Sequence, residues 1–248
     1  VLPAAGFGAD GVYLNAKKAP LDDIRVRWAV AHAIDRDLLN RTLGFGVPTP
    51  AYSPFGRGMA MIKQPVDIYP KYDPAKAKAL LAEYGKPVAF TLSYNNTPET
   101  RHQVQSLQEM WAQVGIKAEL VPLDQNRLVQ NMSSKQFEAS IYRYTGRADP
   151  DSNTYGFFHS RSAEINPSSN YGGYASKRVD ELLEQGRATA DPAKRAAVYS
   201  ELAQVLVKEV MPYAYLNTIT DTIVTKPYVK DLTVVPDGLV RFAGMWRQ

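Results

Sequence analysis

The sequence predicts a mixed α/β protein, and three observations lead to that class. A strand, a helix and a second strand follow one another between Val88 and Leu123, which is the pattern of a βαβ unit with parallel strands. Elsewhere, segments with apolar residues at helical spacing alternate with short apolar runs typical of strands. Hydrophobic residues make up 45% of the chain, yet no stretch approaches the ~18 apolar residues of a membrane-spanning helix.

The first predicted elements are a short strand and a long helix. Val12–Asn15 forms an apolar run, which the segment ending at Pro20 breaks. Asp22 or Asp23 suits the N-cap of a helix that extends to about Asn40. Apolar residues at helical spacing predict its buried face: Ile24, Trp28, Ala31, Ile34 and Leu38.

A glycine-rich stretch, Gly6–Gly11, precedes this strand and matches the dinucleotide-binding pattern G-x-G-x-x-G. That pattern binds a pyrophosphate only when a strand comes before it and a helix begins after it. Here a strand follows instead, so we interpret the stretch as an extended connector.

The middle of the chain contains the clearest helix signal. Five prolines between Gly44 and Pro70 predict an irregular loop. Asp73 then suits an N-cap, Pro74 the first helical position and Gly85 the left-handed residue after the helix. The βαβ unit follows as strand Val88–Tyr94, helix Pro98–Val114 and strand Ile116–Leu123.

The rest of the chain continues the alternation of helices and strands. The predicted segments are a helix at Gln125–Met132, a strand at Phe137–Tyr144, a polar loop at Ser160–Gly173, a helix at Ser176–Gly186, a second helix from Asp191, and strands at Met211–Leu216, Thr220–Thr225 and Leu232–Val235.

The densest polar cluster is Gly146–Asn153, which directly follows a predicted strand. It contains two carboxylates, a guanidinium and an amide within eight residues, and loops at strand ends commonly carry binding residues. Asp149, Asp151 and Asn153 also match the first three ligand positions of a calcium loop. The glycine and the bidentate glutamate that such a loop requires are missing, so we favour an Asx turn and a helix cap.

Composition excludes several other kinds of site. Without cysteine, the chain has no disulfide, no thiol nucleophile and no cysteine-ligated metal. His32, His102 and His159 lack a second histidine at metal-ligand spacing. The net charge is +4, and the basic residues form no block that would indicate a nucleic-acid partner.

No sequence motif indicates catalysis. The nucleophile elbow, the Walker loop and the zinc-protease helix are all missing from the sequence, so we expect no enzyme, no cofactor and no metal. Because carboxylates distant in sequence can meet in space, a hydrolase that uses Asp149 or Asp151 is the remaining catalytic alternative.

Several blocks, taken in order, resemble the family 5 solute-binding proteins, the peptide- and nickel-type binding components of ABC importers. The blocks are Tyr13–Pro20, Asp22–Arg36, Tyr72–Gly85, Gly115–Glu119, Gly146–Asn153, Asn170–Tyr174, Val179–Leu183 and Asp191–Arg195. The resemblance covers nearly the whole chain, although family members are roughly twice its length.

The resemblance implies an α/β fold of the type II-like periplasmic-binding-protein class, present as a C-terminal half. Residues 1–15 would cross from lobe I, residues 16–211 would form lobe II, and residues 212–248 would return to lobe I. Such a protein is periplasmic or otherwise extracytoplasmic, at most peripheral to the membrane, and delivers a small peptide or peptide-like solute to the transmembrane permease. A metal chelate or an oligosaccharide is the alternative solute.

On this resemblance, side chains at strand ends of lobe II would face the ligand. The expected binding residues are Tyr142, Tyr144, Arg147, Asp149, Asn153, Tyr94, Asn95 and Tyr171. Arg147 could pair with a ligand carboxylate, or instead form an internal salt bridge with Asp149 or Asp151. Gly146 stands where many oligopeptide binders of the family have an aspartate for the ligand's ammonium, which leaves the ligand class open.

Overall fold

A computed structural model describes residues 2–166, 169–234, 240–241 and 244–247. The longer strands are β1 (Leu2–Leu14), β2 (Val88–Asn95), β3 (Ile116–Leu123), β4 (Ala139–Tyr144) and β5 (Tyr213–Ile223). The helices are α1 (Ile24–His32), α2 (Arg36–Thr42), α3 (Pro74–Tyr84), α4 (Pro98–Ala112), α5 (Gln125–Ser133), α6 (Asp151–Phe158), α7 (Ser162–Ile165), α8 (Lys177–Ala188) and α9 (Pro192–Val205). Two short ribbons pair β6 (Val229–Lys230) with β9 (Trp246–Arg247), and β7 (Thr233–Val234) with β8 (Val240–Arg241).

The five longer strands form one mixed sheet in the order β3-β2-β4-β1-β5. β2 and β3 are parallel from Val88 opposite Ile116 to Asn95 opposite Leu123, which confirms the predicted βαβ unit. β4 joins β2 in parallel, whereas β1 is antiparallel to both β4 and β5. The carboxyl ends of β2, β3 and β4 therefore meet at one edge of the sheet.

The N-terminal region differs from the prediction in two respects. Gly6–Gly11 lies within β1 rather than in a connector, because its second half, residues 9–11, pairs with both β4 and β5. The predicted long helix is two helices, since the chain leaves the helical path at Ala33 and Asp35 caps a new helix through the N–H of Leu38. The break turns Leu38 outward, and it is 41% exposed instead of buried.

Local capping signals predict the other helices well. The carboxylate of Asp73 accepts the N–H of Lys76, and Gly85 ends α3 at a φ of 75°. The five residues predicted to point inward are all buried, four in α4 and Val114 just beyond its end: Val104, Leu107, Met110, Trp111 and Val114. Trp111 also donates its indole N–H to the carbonyl of Val30 at 3.0 Å, which ties α4 to α1.

In the C-terminal part of the described chain, one long strand takes the place of two predicted strands. The two predicted strands between Met211 and Thr225 are continuous as β5, which lies beside β1. Tyr174 fixes the point where β1 ends and β5 begins, because its buried hydroxyl contacts the carbonyls of Leu14 and Pro212. The predicted strand at Leu232–Val235 is observed as Thr233–Val234, and Val235 lies outside the described residues.

Three backbone segments touch at a position that we call the glycine junction, formed by Gly8 of β1, Gly56 and Gly146. The N–H of Gly56 donates to the carbonyl of Phe7 at 2.7 Å. A Cβ atom on any of the three glycines would lie less than 3.0 Å from backbone atoms of another segment, a separation that real Cβ atoms essentially never show. The junction therefore has room for backbone alone.

We predict that Gly8→Ala destabilises the fold, because the added methyl would meet the carbonyl of Tyr144 and the N–H of Gly146. The free energy of unfolding, measured by urea denaturation, should fall by about 1–3 kcal/mol or more. The matched control is Gly156→Ala within α6, where the added Cβ has only an ordinary contact, 3.8 Å from Ser169 Oγ. That variant should be neutral or up to about 1 kcal/mol more stable. Equal stability of the two variants would contradict the junction.

Candidate functional site

A groove of about 400 Å³ lies at the edge where the parallel strands end, and we call it the edge groove. In open α/β sheets, ligands bind outside the carboxyl ends of the strands. Its polar lining comes from five elements or their ends, and includes Asp10, Asn95, Thr100, Gln103, Gln125, Tyr142, Arg143 and Thr145. The lining is thus rich in amides and hydroxyls.

Of the eight residues expected to bind, Asn95 and Tyr142 line the edge groove. Asn95 is the last residue of β2, and Tyr142 lies in β4. The ring of Tyr142 makes edge contacts with Tyr13 at 5.7 Å and with Tyr171 at 6.3 Å between centroids. These contacts keep Tyr142 half-buried and support it from the core.

The other three expected tyrosines are in the core. Tyr94, Tyr144 and Tyr171 are 5%, 2% and 6% exposed. The hydroxyl of Tyr144 forms a hydrogen bond of 2.9 Å with Thr154, and burial raises the pKa of its phenol. Tyr144 therefore connects β4 to α6, and its accessible surface is too small for it to form a groove wall.

The loop after β4 is held by two arginines from neighbouring helices. Arg195 of α9 binds both carboxylate oxygens of Asp149, at 2.7 and 2.8 Å. Arg187 of α8 donates to Asp151 at 3.0 and 3.1 Å. The Arg195 guanidinium holds the pKa of the Asp149 carboxyl below its ordinary value. Both carboxylates thus serve as structural anions.

Local hydrogen bonds give this loop its shape. Asp149 Oδ1 accepts the N–H of Asp151 at 2.8 Å, which is the Asx turn that the sequence predicts before a helix. Asn153 donates its amide to the carbonyl of Thr145, across the loop. Asn153, in the first turn of α6, is therefore bonded to the start of the loop, although it stays half-exposed.

Arg147 is the exception in this loop. The predicted alternative, a salt bridge to Asp149 or Asp151, is wrong, because those carboxylates bind Arg195 and Arg187. Arg147 is exposed and forms no hydrogen bond or ion pair with any residue in the described ranges. Its guanidinium is available to an external group.

Sequence reasoning did not find Arg143 and Asp10, whose side chains also line the groove. Arg143 Nε donates to Asp10 Oδ1 at 3.0 Å. The two residues are 133 positions apart and meet only because β1 pairs with β4. No local signal in the sequence indicates this pair.

Neither a metal centre nor a membrane span is found in the residues that the structure describes. No group of three or more histidine, aspartate or glutamate side chains is arranged to hold a metal ion there. His159 instead lies 3.3 Å from a carboxylate oxygen of Glu184 and 3.9 Å from one of Asp180. None of the described helices combines the length and apolarity that a bilayer crossing requires.

Comparison with known proteins places this geometry in context. Residues 3–164 match the family profile described as "Bacterial extracellular solute-binding proteins, family 5 Middle". The dipeptide-binding protein of Escherichia coli strain K12 is 29% identical over 247 residues, which cover 96% of this chain and 45% of that protein. The glutathione-binding protein GsiB of Shigella dysenteriae serotype 1 is 30% identical over 206 residues, covering 80% of this chain and 40% of the relative.

Solved structures show the same fold. The oligopeptide-binding protein AppA of Bacillus subtilis, in complex with a nonapeptide, matches with a TM-score of 0.85 at 22% identity. The match covers 100% of this chain and 52% of that one, and it confirms the predicted α/β class. The chain spans about half the length of the proteins that it matches.

The Asp149–Arg195 ion pair predicts a specific pH dependence of stability. Because the pKa of Asp149 is lowered in the folded state, its contribution is present above the ordinary aspartate pKa of 3.8 and is lost as the pH falls below it. Asp149→Asn retains an acceptor for the Asx turn and removes the charge. By urea denaturation, this variant should be less stable at neutral pH, by up to about 1 kcal/mol for a partly exposed pair.

The stability difference between Asp149→Asn and the unmodified protein should shrink as the pH falls below 3.8 and disappear once the pH is below the lowered pKa of Asp149. The control is Asp67→Asn, since Asp67 is exposed and has no ion pair with a described residue. It should show little difference at either pH. A difference at Asp149 that is independent of pH would contradict a charge-based role.

Proposed function

Because the chain belongs to the family 5 bacterial extracellular solute-binding proteins, we propose that it supplies one wall of the ligand cleft in the binding component of an ABC importer. Its α/β fold is of the type II-like periplasmic-binding-protein class. On this proposal, residues 16–211 form lobe II, and residues 1–15 and 212–248 connect it to lobe I. The antiparallel pairing of β1 with β5 supports this division, since the chain enters and leaves the body on adjacent strands.

The proposed solute is a small peptide or a peptide-like molecule, held in the edge groove. The observation that carries this proposal is Arg147, an exposed guanidinium without an internal partner in the described chain, in the loop that starts beside the groove. A guanidinium can bind a carboxylate through two parallel hydrogen bonds. Tyr142 and Asn95 would add a ring face and an amide to the same site.

The proposed mechanism is closure of two lobes around the solute. A ligand shifts such an equilibrium only by binding the closed state more tightly than the open one, and rotation about a hinge is the usual motion. The permease would then recognise the closed form at the outer face of the membrane. The location we propose is accordingly extracytoplasmic, in the periplasm of a bacterium with an outer membrane.

The proposal is for a receptor rather than an enzyme. A hydrolase would need a carboxylate that is free to take or give a proton near neutral pH. Asp149 and Asp151 are both bound to arginines, and the pKa of Asp149 is lowered. These pairings favour a structural role for the two residues.

We predict that Arg147→Ala weakens binding of a dipeptide with a free carboxylate by about tenfold or more, which corresponds to one charge-assisted hydrogen bond. Isothermal titration calorimetry on the full-length protein that carries this chain would measure it. Arg161→Ala is the matched control, because Arg161 lies beyond the other end of α6, and the dipeptide affinity of this variant should not change.

Screening of the unmodified protein against dipeptides, glutathione, nickel–histidine chelates and oligosaccharides tests the solute class itself. Thermal stabilisation by dipeptides or glutathione without turnover is the expected result. Stabilisation by chelates or sugars alone would replace the peptide proposal by its alternative. Turnover of any ligand would overturn the receptor proposal.

A further inference from the structure

The edge groove contains no free carboxylate among its described residues. Only Asp10 and Arg143 carry a charge in its lining. Asp10 is already bound to Arg143 Nε at 3.0 Å. The two Nη groups of Arg143 donate to no acceptor in the described part of the chain, and its side chain is 54% exposed. The pair therefore offers a ligand hydrogen-bond donors and no unneutralised anion.

The adjoining loop adds a second cation and no available anion. Arg147 is exposed, and the carboxylates of Asp149 and Asp151 are held by arginines of α8 and α9. Position 146 cannot supply an anion either, since a side chain there would overlap the backbone of Phe7. The groove and the loop together therefore present two guanidinium groups, Arg143 and Arg147, and one carboxylate, Asp10, which is already paired.

The remaining polar groups of the groove are neutral. Asn95, Gln103 and Gln125 present amides, and Thr100 and Thr145 present hydroxyls. Such groups can satisfy the N–H and C=O groups of a peptide bond or an acylated amine. They carry no charge, so they cannot offset the desolvation of an ammonium ion as a carboxylate does.

We propose that the edge groove and the adjoining loop recognise the carboxylate of the solute and do not recognise an α-ammonium group. The preferred class is then a peptide or peptide-like acid for which acylation or loss of the amino group costs little affinity. Arg143 and Arg147 are the residues that set this preference. The inference rests on the proposed function, because it concerns the solute of the same groove.

Four forms of one dipeptide test the proposal by calorimetry on the full-length protein: Ala-Ala, N-acetyl-Ala-Ala, Ala-Ala amide and N-acetyl-Ala-Ala amide. Acetylation should change Kd by less than about threefold. Amidation should weaken binding by about tenfold or more, because it replaces a carboxylate with two anionic acceptor oxygens by a neutral amide with one. The opposite pattern, with amidation tolerated and acetylation abolishing binding, would overturn the inference.

Variants assign the preference to the two arginines. Arg143→Gln combined with Arg147→Gln should reduce the ratio of acid to amide affinity to about one. The single variant Arg147→Lys retains the charge, so it should keep part of that ratio. Arg161→Gln should leave it unchanged. Thermal melting of each variant shows whether it is folded. A ratio that the folded double variant retains would overturn the assignment.

The test separates the inference from the proposed function. If only the two forms with a free amino group bind, the receptor function stands and the inference fails. If none of the four binds while a chelate or a sugar does, the peptide proposal fails, and the inference fails with it. Only binding that depends on the carboxylate supports both.

Discussion

The glycine junction is the constraint on which the arrangement of this structure depends. Gly8 of β1, Gly56 and Gly146 bring three chain segments together at distances that leave no room for a Cβ atom. β1 is also the strand that joins β4 to β5. Consequently, the start of the loop after β4 is fixed to the same strand that links the parallel part of the sheet to its antiparallel part.

The charges of the loop follow from this placement. Gly146, near the start of the loop, is fixed at the junction, and Arg187 of α8 and Arg195 of α9 bind the two carboxylates that follow it. Arg147 is left without an internal acceptor among the described residues. The loop contains two anionic side chains and one cationic side chain, but both anions are paired in the fold, so the charge that remains available is positive.

The parts of the fold that the sequence predicts are those with local signals. Asp73 and Gly85 bound α3 because a cap and a left-handed residue act within one helical turn. The βαβ unit follows from periodicity alone. The break between α1 and α2 was not predicted, because Asp35 competes as a cap in the middle of a pattern that otherwise remains helical. Gly6–Gly11 was likewise not predicted as a strand, since its partners lie more than 130 residues away.

The same distinction applies to the candidate site. The position of the loop at a strand end and its Asx turn are local properties, and the structure has both. The partners of Asp149, Asp151 and Arg143 are 46, 36 and 133 residues away along the chain. Because these partners are so distant in sequence, the sequence does not show which charges are neutralised. From the sequence alone, the proposed ligand-facing role of Arg147 therefore cannot be separated from an internal salt bridge, because the partners of those carboxylates lie far away along the chain.

Gly146 also limits how this site can evolve. A mutation at that position adds atoms where the backbone of Phe7 already lies, so its cost in folding would oppose any gain in recognition. Thr145, Arg147 and Ala148 are exposed on either side of it and can be exchanged without that cost. Descendants of this protein that acquire a new solute should therefore differ at these three positions and retain the glycine between them.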